Sequence, residues 1–281
     1  MQINQLTQAM IKETPIPLPP LAEQHRIVAR IESLFNKLDR AKGLAQAALE
    51  SFETRKAAIL HKAFTGELSA KWRVANGVGL DSWKVKCLAE CVLKMQNGIS
   101  KRHGNDGIST VVLRLANIDG NIIDTSDLRE IVLDKCDIKK YALVADDVLI
   151  IRVNGSHENV GKLIHIKDNN RWAYCDHLIK CRFDSASVNA PFMIFLSLTN
   201  SYREFIENSM VSSAGQNTIS QKSLEQSAFL CPTLPEQQEI VRILESLLEK
   251  EQQARQHADI IEKIDLMKKA ILARAFRRTN A

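Results

Sequence analysis

Between positions 21 and 64 apolar residues return every three or four places: Ile31, Leu34, Leu38, Ala41, Ala45, Ala48, Phe52 and Ile59. That alternation is the seam of a coiled coil. Arg55 interrupts it, and the alanines in its middle let two helix backbones approach closely. The stretch holds no proline and one glycine, Gly43, whereas Pro17, Pro19 and Pro20 stand just ahead, where proline is tolerated. The pattern predicts a helix of about 43 residues, roughly 65 Å long. A second stripe, Ile240, Leu244, Leu247, Ala254, Ala258 and Ile261, shifts phase to Ile264, Met267 and Ile271. It predicts another rod over about 235–275, the shift resembling a stutter. Each rod carries too much apolar surface to stand alone. The simplest solution is an antiparallel pair, with the intervening residues at the end where one rod finishes and the other begins.

Between the rods the period changes. Thr65-Gly66 and Gly77-Val78-Gly79 mark an exit and a short connector. Residues 110–115, 131–133, 148–153, 160–166 and 178–183 are β-branched or apolar runs bounded by Gly, Asn and Asp, hence strands. Asn189 is placed to cap a helix begun by Ala190-Pro191, and Phe192, Phe195, Leu196, Tyr202, Phe205 and Ile206 extend its stripe to about Asn208. A short helix is expected from Ser220 to Gln226. The fold class read from these periods is α+β: a mixed α/β globular domain plus two long antiparallel coiled-coil helices. The expected boundaries are 1–20 for a lead-in, 21–68 for the first long helix, 81–231 for the globular domain and 235–278 for the second helix.

The two ends of the chain repeat one another. Pro-Pro-Leu-Ala-Glu-Gln ending at Gln24 returns as Pro-Thr-Leu-Pro-Glu-Gln ending at Gln237, and Ile27-Val28 as Ile240-Val241. Glu32-Ser33-Leu34 returns as Glu245-Ser246-Leu247, and Lys37 as Lys250. Residues 4–64 thus match 217–276, with one deletion before Lys268. A long unit repeated only at the ends is no solenoid. It is two matching arms around one different module.

Composition narrows the partner. The chain has 281 residues, 45% hydrophobic and 25% charged, enough for one or two domains with an ordinary core. A net charge of +5 suits nucleic acid. Aromatic residues make up only 5%, which disfavours base stacking on a single strand. Six cysteines at 87, 91, 136, 175, 181 and 231 form no Cys-x-x-Cys pair, have no histidine at zinc-ligand spacing, and read as reduced thiols of a cytoplasmic protein. No apolar run approaches the ~20 residues of a membrane span.

A search for catalytic chemistry is empty. There is no glycine-rich phosphate loop followed by Lys-Ser/Thr. Asp146-Asp147 stand before a strand, where acids are as a rule solvated turn residues, and His157-Glu158 have no nucleophile nearby in sequence. The middle module instead concentrates groups that hydrogen-bond duplex DNA in three loops. These hold Lys101 and Arg102; Arg152, Asn154, Ser156 and His157; and Gln216 with Asn217. Arg, Lys, Asn and Gln make bidentate contacts to purine edges, and Ser, Thr and Lys anchor phosphates. Singly, each loop reads as ordinary solvated surface; together, on a basic chain without a catalytic centre, they read as a DNA-facing surface.

The proline-led Leu-Ala-Glu-Gln-x-x-Ile-Val at 21–28, the helix ending in Lys56-Ala-Ala-Ile-Leu-His-Lys-Ala-Phe64 and Thr-Gly-Glu-Leu68, and the divergent second copy carry a resemblance. The chain resembles a specificity subunit of type I restriction–modification enzymes, in a half-size or truncated form with one target recognition domain. Residues 1–20 resemble the remnant of a preceding recognition domain. The resemblance implies a non-catalytic DNA-binding subunit of a restriction system, acting in DNA modification. Its domain would read one half of a split target, and its paired helices would space half-sites and dock methyltransferase subunits. S-adenosylmethionine and ATP would belong to methyltransferase and restriction subunits, with no cofactor in this chain. With one domain, the chain would homodimerise or pair with a complementary half-subunit. The competing class is a coiled-coil adaptor that occupies the methyltransferase subunit without reading DNA.

Overall fold

The computed structural model describes residues 8, 12, 18–101, 106–256 and 260–277. In chain order the elements begin with α1 (Leu21–Phe64), α2 (Ala70–Asn76), β1 (Lys84–Cys87), β2 (Val92–Asn97) and β3 (Ile108–Leu113). Next come β4 (Ile118–Asp119), β5 (Ile122–Ile123), β6 (Glu130–Leu133), α3 (Lys135–Tyr141), β7 (Asp147–Ile151), β8 (Val153–Asn154) and β9 (Leu163–His165). Then follow β10 (Ala173–Tyr174), β11 (Leu178–Phe183), α4 (Ala190–Leu196), α5 (Asn200–Ser209), β12 (Val211–Ser213) and β13 (Gln216–Thr218). The chain continues through α6 (Gln221–Glu225), β14 (Ala228–Cys231), α7 (Leu234–Gln256) and α8 (Ile260–Arg277). Two compact units emerge, residues 1–55 with 249–281, and residues 56–248. Among the described residues no helix is long and apolar enough to cross a membrane.

In the first unit α1 and α8 lie antiparallel. Lys268 pairs with Asp39, while Lys42 Nζ sits 2.9 Å from Asp265, so three residues forward on one helix match three backward on the other. The seam is not quite the predicted one. Along α1 the half-buried or buried positions are Ile31, Phe35, Leu38, Lys42, Ala45 and Phe52, whereas Leu34, Ala41 and Ala48 are exposed. Along α8 they are Ile264, Lys268 and Ile271, and Met267 is exposed. The seam therefore opens with a four-residue step from Ile31, the mirror of the expected spacing. Phe35 covers more apolar area than Leu34, and Lys268 lies 5.1 Å above its ring. Lys42 and Lys268 lay their methylene stems in the seam and reach across it to carboxylates. Farther along, Lys56 takes the place the pattern gave to Arg55. The side chains of Ala254, Ala258 and Ile261 lie outside the described residues.

The second unit is built on an antiparallel four-stranded sheet ordered β2-β11-β7-β9. All five residues of β7 are buried, because the sheet is covered on both faces. Alternation sends Val148 and Ile150 to one core with Phe192, Ile206 and Leu224, and Leu149 and Ile151 to another with Leu113, Leu143 and Tyr174. The first core also takes Leu60 and Ala63 from α1 and Ile240, Val241 and Leu244 from α7. A second sheet, β10-β3-β6, combines one parallel and one antiparallel pairing.

Asn189 caps α4 as expected, its side chain accepting from Phe192 N–H at 3.1 Å. The predicted helix to Asn208 is two helices, because Thr199 accepts from Tyr202 N–H and donates to Leu196 O, ending one and starting the next. Ser220 caps the short α6. Asp147 corrects another expectation. It is no solvated turn residue: fully buried, it holds Arg182 by two bonds of 2.6 and 2.7 Å and accepts from Val144 N–H.

Candidate nucleic-acid interface

The polar segment 211–218, read from sequence as a loop, is a hairpin. Ala214 and Gly215 have φ of +47° and +78°, the left-handed pair that turns β12 into β13. β13 continues onto β8, pairing Asn217 with Asn154 and Thr218 with Val153. This small sheet, ordered β12-β13-β8, joins two of the three predicted loops. It was hard to find because Val-Ser-Ser and Gln-Asn-Thr carry no apolar alternation, and all of β12 is exposed.

Within it the two asparagines serve the backbone. Asn217 Nδ2 donates to Gly155 O at 3.0 Å, and its Oδ1 accepts from Ser212 at 2.5 Å. Asn154 Oδ1 accepts from Ser156 N–H at 2.9 Å, an Asx turn. Ser156, His157 and Gln216 are exposed. The carbonyls of His157 and Val160 accept from Arg203, at 3.1 and 2.7 Å, which fixes this turn against α5.

Arg152 leads to the third region. Its guanidinium donates to Asp176 O at 3.1 Å, and its N–H to His177 O at 2.8 Å. The same turn receives the 98–101 segment: Ile99 bridges to Cys175, and Asp176 N–H donates to Ile99 O at 3.1 Å. Gly98 permits this approach, since a Cβ there would lie 2.1 Å from Cys175 O. Lys101, Arg114, Arg129, Asp176 and His177 line a depression of about 230 Å³ beside the turn. Lys101 Nζ is engaged by Asp137 at 2.5 Å and Asp134 at 3.5 Å, and its bond to Asp137 holds its pKa above the ordinary lysine value. Arg102 lies outside the described residues.

Residues 175–177 therefore link the loop of Lys101 to the strand of Arg152, and Arg152 leads directly into the small sheet. Arg114, Arg129 and His177 were missed. Each is an isolated basic residue beside an apolar strand, and only the sheet order makes them neighbours. Cys175, Asp176 and His177 also place three potential metal-ligand atoms within 4.8 Å of one another. Burial pushes the Cys175 thiol up, which favours the protonated form over the thiolate a cation would need. These three consecutive residues suit a turn better than a metal centre.

Comparison with known proteins places this architecture. A family model, the type I restriction modification DNA specificity domain, matches residues 1–49 and 83–265. The chain belongs to that family. It is 34% identical over 284 residues to the type I restriction enzyme StySPI specificity subunit of Salmonella potsdam, covering 98% of this chain and 59% of the relative. It is 30% identical over 286 residues to the EcoKI specificity subunit of Escherichia coli K12, covering 98% and 60%. The chain thus spans about three-fifths of the length of these relatives. In fold it resembles a chain from a structure of type I restriction–modification complex assembly, with TM-score 0.70, 21% identity and coverage of 96% and 63%. It also resembles the HsdS subunit from Thermoanaerobacter tengcongensis, with TM-score 0.56, 21% identity and coverage of 98% and 63%.

Proposed function

We propose that this chain is the non-catalytic DNA-recognition subunit of a type I restriction–modification complex. Residues 81–231 are its single recognition domain, and its long helices dock methyltransferase subunits, with a restriction subunit joining them. It reads one half of a split duplex target in the cytoplasm, while S-adenosylmethionine and ATP are held by partner subunits. The observation that carries the reading is the linkage of three polar loops through the turn at 175–177 and the sheet β12-β13-β8. Gln216, Ser156 and His157 are the exposed groups for base edges and phosphates, Arg152 stands at the strand end behind them, and Asn154 and Asn217 fix the loops.

The test assembles the chain with its methyltransferase subunit and maps methylated adenines and nuclease protection on duplex DNA. A defined site is expected. Arg152→Ala with Gln216→Ala should weaken its binding by roughly 10-fold or more, at about 1–3 kcal/mol for a good base contact, while leaving methyltransferase binding unchanged. Equal affinity for all duplexes at moderate salt, or no effect of either substitution, would replace this reading with that of an adaptor.

A further inference from the structure

The repeated segment has two different surroundings. In the second copy Glu236 and Gln237 are fully buried. Glu236 Oε1 accepts from Ser69 Oγ and from Arg73 Nη1, each at 2.7 Å, and Arg73 is itself tied to Gly66 O at 2.6 Å. Gln237 grips main chain: its Oε1 accepts from Asn189 N–H at 2.9 Å, and its Nε2 donates to Ser187 O at 3.0 Å and Pro232 O at 2.9 Å. Ile240, Val241 and Leu244 continue this contact into the core. The segment closes the globular domain by binding α2, the turn before α4, and the apolar floor between them.

The first copy keeps the same residues in the same order: Pro19, Leu21, Glu23, Gln24, Ile27 and Val28. Its local half is intact, for Gln24 Nε2 donates to Pro19 O at 2.7 Å as Gln237 does to Pro232 O. Its outward half is not engaged in that way. Glu23 bonds to Arg26 on the next turn, at 2.6 and 2.7 Å, a surface pairing of the kind that contributes little. Leu21 is 65% exposed, and Val28 is 51% exposed where its counterpart Val241 is 7%. Chemistry that closes a domain in one copy lies on an open surface in the other.

We propose that residues 19–31 form the docking face for a second recognition-type domain body that lacks its own closing segment. Glu23 takes a serine–arginine pair from that body, Gln24 takes a main-chain N–H and C=O, and Leu21, Ile27 and Val28 complete its floor. The acid suits an arginine partner in charge, and the resident domain displays the occupied form. A second copy of this chain does not meet the requirement. Its Ser69, Arg73, Ser187 and Asn189 are already held by its own Glu236 and Gln237, whose attachment in the same chain gives an effective concentration a free copy cannot match. The inference needs no DNA binding, so its failure is distinguishable from failure of the functional reading.

The experiment is a tandem chain in which residues 65–216 are placed a second time ahead of Asn4, under an N-terminal tag. The added body then precedes the first copy as the resident body precedes the second. Limited proteolysis with tag detection should find the added body protected. Glu23→Ala with Gln24→Ala should speed its cleavage on the order of 100-fold, as expected when one partner of a buried ion pair is lost, with the resident body unchanged. Equal cleavage with and without these residues, or an added body that never resists protease, would overturn the proposal. So would light scattering on the unaltered chain that finds a dimer at micromolar concentration which the double substitution dissolves, because the occupant would then be a second copy. A single-chain mass is the expected result.

Discussion

At the scale of single residues, buried charge in the recognition domain is arranged around Asp147. Its carboxylate neutralises Arg182 across β7 and β11 and pulls up the pKa of neighbouring Lys180. Burial dominates at Lys180, however, and brings its ammonium down to about 8 although Nζ donates to Ala142 O at 2.9 Å. In the unfolded chain that lysine titrates near its ordinary 10.5. Below pH 8 both states carry the charge, and the fold bears the cost of holding it. Between 8 and 10.5 the unfolded state binds the extra proton, so this group's contribution to stability rises with pH. Lys180→Met removes the titration. The stability gap between native and Lys180→Met protein, from urea unfolding, should therefore shift in favour of the native lysine by up to about 3 kcal/mol over that window. A gap constant from pH 7 to 10.5 would mean that Lys180 titrates as in water. None of this was legible in sequence. Asp147 and Lys180 look like solvated charges until pairing of β7 with β11 places them side by side.

Helices and strands were legible where their own side chains carry the period. The capped α4, the central strands β7 and β11 and the antiparallel helices follow from apolar spacing and from Asn189 beside Ala190-Pro191. The hairpin of β12 and β13 did not, because its strands are polar throughout and its turn shows only in the left-handed Ala214-Gly215 pair. The seam of α1 was half legible. Ile31, Leu38, Ala45 and Phe52 fit both phases of a three–four alternation, and the choice between Leu34 and Phe35 rests on which face meets α8. The difference is measurable. Phe35→Ala should destabilise the chain by roughly 2 kcal/mol, as a half-buried aromatic losing its packing does. Leu34→Ala, on the exposed face, should stay within about 0.5 kcal/mol. Thermal unfolding of the two variants checks the register, and equal losses would restore the spacing drawn from sequence alone.

For the molecule as a whole, a net charge of +5 gives a modest attraction for DNA, and much of the positive charge is already spent within the protein. Lys101 is held by Asp137 and Asp134, Arg182 by Asp147, Arg73 by Glu236, and Arg114 lies 3.1 Å from Asp127. Affinity for duplex DNA should therefore divide unequally among the candidate residues once the methyltransferase subunit is bound. Each phosphate contact releases counterions and adds about 0.9 to the slope of log affinity against log salt. Arg152→Ala should lower that slope by about 1, because its guanidinium donates only to the carbonyl of Asp176 and retains its charge for a phosphate. Gln216→Ala should weaken the specific site and leave the slope alone, since an amide reads base edges without displacing ions. Lys101→Ala should change neither, because its ammonium is balanced by two carboxylates before DNA arrives. Filter binding of the assembled complex between about 50 and 200 mM salt separates the three. A slope that falls with Lys101 and not with Arg152 would move the phosphate-binding face away from the small sheet, toward the depression at Arg114 and His177.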